Sequence, residues 1–271
     1  MGSASPSRRA LVRTSVRPTP DRPPAGGTSR HAGRRLRGRP PPSQEAHVTE
    51  PRSRTDLDAP APDVPARGWF ARPSLEVARD LLGASITHRT PEGSVTVRLT
   101  EVEAYAGEHD PGSHAFRGRS ERNRAMFGEP GHLYVYRHLG LHHCVNVVCG
   151  PVGSASAVLL RAGEVTDGVE LARARRLAAG VCDSDRQIAR GPARLAVALG
   201  LDLAHYGLDV SDEAGDVVVH RDVRTLRPAI ATGPRVGVSG DGGDASVYPW
   251  RLWLTGDPTV SAYRPATRRT R

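Results

Sequence analysis

Lysine is absent: all 38 basic side chains of this 271-residue sequence are arginines. With no side-chain amine available, Schiff-base chemistry on a lysine is excluded whatever reaction the chain performs. Cysteine is scarce too, and Cys144, Cys149 and Cys182 make neither a disulfide framework nor a C-x-x-C pair, which fits a reducing compartment. No run approaches the roughly 18 apolar residues of a membrane span, and the first 20 residues lack the apolar stretch of a secretory signal. No membrane partner is therefore expected.

Aromatic residues are missing from positions 1–66, a segment that holds twelve of the 23 prolines and twelve arginines against six acids. Such a composition cannot bury enough apolar area to offset the entropy of ordering its backbone, so residues 1–66 are expected to be a disordered basic tail. Its first 44 residues carry ten arginines and one acid, a pattern that a transit peptide shares, but the prolines would break the required amphipathic helix. A basic arm is the preferred reading, with organelle targeting as the alternative. Residues 67–271 are enough for one compact domain. There, 26 arginines face 23 acids, so any surface for a polyanion must be a local patch.

Pro73 to Leu82 reads as a helix that stops at Gly83. Ser94 to Tyr105 alternates like a strand, with Val95, Val97 and Leu99 on one face that continues to Glu101, Glu103 and Tyr105. Residues 106–131 form an ordered loop, and Leu133–Tyr136 and Cys144–Cys149 form a hairpin across His138-Leu139-Gly140-Leu141. Ala157–Arg161 is a short strand, and Thr166–Ala179 and Pro192–Leu199 are helices closed by Gly180 and Gly200. Val217–His220 and Trp250–Leu254 are strand-like.

A carboxylate on the inner face of a strand end can serve as a general base on water, which singles out Glu103. The plain structural alternative pairs Glu101 and Glu103 with nearby arginines. Tyr105, Phe116, Phe127, Tyr134 and Tyr136 lie within 32 residues, interleaved with Arg117, Arg119, Arg122 and Arg124. Rings that stack on bases beside guanidinium groups that hold phosphates suit nucleic acid. Phe116 and Phe127 read as core, whereas Tyr105 and Tyr136 suit core or pocket equally. His109, Asp110, His114, His138, His142, His143 and Cys144 invite a metal, but no familiar ligand motif is present, so a metal-free site is expected. Leu139 at the hairpin tip either folds back on the sheet or projects as a wedge into a minor groove. Gly191-Pro192 opens a helix whose free N–H groups suit a phosphate, although most helix starts bind a cap or water.

Thr100-Glu-Val-Glu-Ala-Tyr105, then His114, Arg122-Asn-Arg-Ala-Met-Phe127, Gly131-His-Leu-Tyr-Val-Tyr136, Cys144-Val-Asn146 and Val158-Leu-Leu-Arg161 together resemble the alkyladenine (3-methyladenine) DNA glycosylase family. Order and spacing agree over most of Trp69–Pro265, including Gly191-Pro-Ala-Arg-Leu195, Pro234-Arg-Val-Gly237 and Pro249-Trp-Arg-Leu-Trp253. The resemblance implies an α+β fold, a single compact domain with a curved antiparallel sheet, which flips damaged purines out of double-stranded DNA and removes them. It puts the base-activating carboxylate at Glu103, a water-holding partner at Arg161, and a sandwich for the base at Tyr105, His114 and Tyr136. Asn146 matches the residue that rejects the guanine amino group. Leu139 stands where members often carry a tyrosine that fills the gap in the duplex, and Ala193 replaces a common glycine.

A purine alkylated at N3 or N7 is already a good leaving group, so one base acting on water can suffice where ordinary glycosidases use two carboxylates. Tyrosine faces favour a cationic base, and damaged bases flip more easily. The expected enzyme is a monofunctional, cofactor-free monomer in the cytoplasm, nucleoid-associated if bacterial. It would remove 3-methyladenine, 7-methylguanine and, as a further candidate, hypoxanthine, leaving an abasic site because it has no lysine. The alternatives are a non-catalytic basic nucleic-acid-binding module and, more distantly, a histidine-ligated metal hydrolase.

Overall fold

The computed structural model of the chain describes residues 63–221 and 229–266. The tail expectation over 1–62 lies outside the described residues. Asp63, the first described residue, bridges to Arg221, whose N–H donates to the Asp63 carbonyl at 2.8 Å.

Among the described residues, four helical segments, α1 (Arg67–Phe70), α2 (Ser74–Leu81), α3 (Val169–Ala178) and α4 (Pro192–Leu199), accompany one eight-stranded sheet. The strands are β1 (Ser85–Thr90), β2 (Gly93–Tyr105), β3 (Leu133–His138), β4 (His142–Val148), β5 (Ala157–Asp167), β6 (Val217–His220), β7 (Ile230–Gly233) and β8 (Arg251–Leu254). The path is β3-β4-β5-β2-β1-β6, with β8 added along the far end of β2 and β7 beyond it. All pairings are antiparallel, which gives the α+β architecture that the resemblance implied.

Two differences from the sequence reading change the bounds or the face of an element it did identify. β5 runs on to Asp167, opposite Thr96, so Thr166 and Asp167 are strand and α3 starts only at Val169. The turn between them needs Gly168, at φ +69°, where a Cβ would lie 2.0 Å from the Ser94 carbonyl oxygen. β1 and β7 carry no apolar alternation strong enough to read from sequence. β1 gains its order by lying between β2 and β6.

The second difference decides where the chemistry sits. Leu99 pairs with Gly163 but Glu101 with Ala162, and then Val102 with Leu160, so Thr100 and Arg161 are extra residues, one on each strand. This double bulge changes the parity of β2. Val95, Val97 and Leu99 pack into the main core before it, whereas Val102 and Ala104 do so after it. The single face expected from Val95 to Tyr105 is thus two faces, and Glu101, Glu103 and Tyr105 emerge on the side away from that core.

α4 packs on β4 and β5, and α2 packs on β2 and β5. Fully buried Leu81, Leu99, Leu160, Leu195 and Leu199 anchor these contacts, each contributing about 1.5–3 kcal/mol. A smaller cluster around Met126, Tyr134 and Ala157, with Phe127 and Tyr136 against it, carries the loop.

Candidate active site

Both carboxylates that the bulge redirects are fully buried, at 0% exposure. Glu101 accepts from the Nε of Arg161 and of Arg251, each at 2.7 Å, and from the Ser261 N–H at 2.7 Å and hydroxyl at 2.9 Å. Burial pushes its pKa up, but the two guanidinium groups outweigh that and leave it lowered. For Glu101 the structural reading therefore stands.

Glu103 has a different set of partners. Its Oε1 accepts the Val236 N–H at 2.7 Å and lies 3.1 Å from Nη1 of Arg161, and its Oε2 accepts the Tyr105 hydroxyl at 2.8 Å. Arg161, the extra residue of β5 at the bulge, reaches both acids. Burial opposes its charge, yet Glu103 and Glu101 hold its pKa above the usual value. A carboxylate offers about four acceptor sites. These three partners leave one, on Oε2.

Tyr105 and Val236 also line a cleft of about 280 Å³, at the lower end of small-molecule sites. Its walls include His114, Tyr134, Tyr136 and His138, together with the buried Asn146 and Met126. The His114 and Tyr136 ring centroids are 4.5 Å apart and nearly perpendicular, and Tyr134 stacks on Tyr136 at 5.5 Å. Asn146 is buried and donates its Nδ2 to the Tyr134 carbonyl at 2.9 Å. Burial raises the pKa of Tyr105, Tyr136 and Tyr134, the last to about 12, so the rings are neutral phenols at pH 7. Tyr105 and Tyr136, which suited core or pocket equally in the sequence, are both cleft walls.

His114 stands at the exposed mouth with its Nδ1 3.0 Å from the Tyr134 hydroxyl. Crowding by protein atoms, then the charges of Arg122 and His138, lower its pKa from 6.5 to about 4. The unfolded chain thus binds more protons between those values, so this group costs stability as pH falls from 6.5 toward 4 and costs nothing above 6.5. We expect the His114 imidazole to titrate near pH 4 by NMR. His114→Gln should flatten the acid-side loss of stability in that window, and titration near 6.5 would contradict this environment.

Arg117, Arg119, Arg122 and Arg124 are all exposed on the loop beside the cleft. The guanidinium of Arg122 lies 5.3 Å from the Tyr136 centroid and that of Arg124 5.7 Å from Tyr206. At the hairpin tip Leu139 is 81% exposed with φ +49°, and Leu141 is 73% exposed, so Leu139 does not fold back on the sheet. Gly191 opens α4 at φ +111° without a side-chain cap, beside a second cleft lined by Arg161, Arg190, Arg194 and Arg264. Asp110 is engaged away from His109 and His114, by a buried arginine that the sequence reading did not single out. That arginine, Arg235, holds Asp110 bidentately at 2.6 and 2.7 Å. Among the described residues no three His, Cys, Asp or Glu side chains are grouped as a metal site.

Arg251, Ser261, Val236 and Arg235 were thus invisible as site residues. The only signal was that Arg235 and Val236 fall in a short stretch, and Arg251 in another, that carried the resemblance without a role.

A family model described as methylpurine-DNA glycosylase matches residues 68–258. A protein of Streptomyces avermitilis, provisionally named 3-methyladenine DNA glycosylase, is 54% identical over 206 residues, covering 76% of this chain and 94% of its own. Proteins with the same provisional name from Leifsonia xyli subsp. xyli and Nocardia farcinica are 53% and 47% identical, covering 74% and 70% of this chain and 92% and 87% of theirs. On this agreement, with the matched span running from α1 through β8, the chain belongs to the methylpurine-DNA glycosylase family.

Proposed function

We propose that the protein is a monofunctional DNA glycosylase that takes a damaged purine from duplex DNA into the Tyr105–His114–Tyr136 cleft and hydrolyses its N-glycosidic bond. The observation that carries this reading is the Glu103 carboxylate, held from three sides directly behind two residues of an aromatic cleft. The remaining acceptor site on Oε2 takes a proton from water. The water oxygen bonds to the sugar C1′, the bond from C1′ to the base nitrogen breaks, and the base departs with the electron pair. An alkylated base leaves neutral and needs little acid assistance, whereas the positive charge growing on the sugar is met by Glu103. Leu139, projecting from the hairpin, fills the space the base vacates, and Arg117, Arg119, Arg122 and Arg124 hold phosphates.

A non-catalytic binding module would have no use for a buried carboxylate behind a cleft. The test is release of free base from methylated and from hypoxanthine-containing duplexes, by one protein per duplex. We expect released purine, an alkali-labile abasic site, and no strand nick, with activity surviving exhaustive chelation. Binding without release would favour the module, and loss on chelation restored by zinc would favour a metal hydrolase.

A further inference from the structure

Arg235 is among the most enclosed side chains of the protein, 1% exposed, and the reaction as proposed makes no use of it. Its Nη1 donates to the Ala104 carbonyl at 3.0 Å and to Asp110 at 2.6 Å, and its Nη2 donates to Asp110 and to the Gly242 carbonyl, both at 2.7 Å. Its Nε is buried without a partner. Four donors thus fix the group to the end of β2 and the loop after it, more than 120 residues away in sequence, and to the nearby 242 turn.

Those segments are the backs of the cleft walls. The guanidinium carbon lies 4.6 Å from the Tyr105 ring centroid, in stacking range of a wall residue. Gly112, which also lines the cleft, passes so close that a Cβ there would lie 2.4 Å from Nη2. Asp110 in turn accepts the N–H groups of Ala106 and Gly112, so the ion pair holds that loop as a unit. The residue after Arg235 is Val236, whose N–H binds Glu103. A buried ion pair is a poor source of stability compared with an apolar plug, and its best-attested use is to specify one geometry.

We infer that Arg235 is a positioning residue, which through Val236 and Tyr105 seats both oxygens of Glu103 and through Asp110 sets the width of the cleft. The inference rests on the glycosylase reading above. Arg235→Lys keeps the charge but loses the fork. Asp110→Asn with Arg235→Met removes both charges together, so no unpaired ion is left buried.

The readout is the single-turnover excision rate at saturating enzyme, alone and combined with Glu103→Gln. We expect about a tenfold loss for Arg235→Lys and about 10²-fold for the charge-free pair, with damaged-duplex binding changed far less, because small displacements of a catalytic group carry penalties of that size. Added to Glu103→Gln, either change should cost almost nothing further, since it acts through a carboxylate already disabled. Losses that multiply with Glu103→Gln, or folded variants that excise at the wild-type rate, would overturn the inference. A wild-type protein that releases no base would instead remove the glycosylase reading on which it stands.

Discussion

Glu103→Gln should bind damaged duplex within a few-fold of the wild type and excise at least about 10²-fold more slowly in single turnover. The amide is the same size: its one oxygen can keep accepting the Val236 N–H, its NH2 can donate to the Tyr105 hydroxyl oxygen, and Arg161 stays paired with Glu101, so the cleft keeps its walls. What it loses is the ability to take a proton from water and the negative charge beside the sugar. The measurement is excision rate beside binding by anisotropy and thermal midpoint. Equal rates for mutant and wild type would show that another group activates the water.

Arg161→Met should be the most damaging single change to the fold near the site. It strips one guanidinium from two carboxylates that are both fully buried. Glu101 keeps Arg251 and Ser261, and Glu103 keeps Val236 and Tyr105, yet breaking a buried pair from one side typically costs about 3–5 kcal/mol. At about 2–4 °C per kcal/mol for a domain of this size, the midpoint should fall by about 6–20 °C. Excision should fall with it even well below the midpoint. A variant as stable as the wild type would mean that water or a rearranged Arg251 takes over the charge.

Much of this arrangement could be read before any coordinates. The first half of β2, as far as Leu99, the hairpin with its glycine tip, and α4 with proline at its start and glycine at its end are local signals, and the structure has each of them. The grouping of Glu103, Tyr105, His114, Tyr136 and Asn146 rested on resemblance, since their spacing alone left the acid as easily structural as chemical. What could not be read is long-range. Asp110 and Arg235 are 125 residues apart, and Glu101 and Ser261 are 160 apart, so nothing local marks either as a pair. β1, with Thr87, His88 and Arg89 at its centre, offers no period-two apolar face. Its neighbours in the sheet create the order that its composition does not suggest.

The paired extra residues at Thr100 and Arg161 give β2 something like a reading frame. Removing Thr100 alone would leave every downstream letter intact yet exchange hydrocarbon for acid along the cleft, turning Val102 outward and driving the Glu103 carboxylate among leucines and valines. Substitution scans of this strand would not reveal that dependence, because no side chain at position 100 is doing the chemistry. What the strand must conserve there is a count.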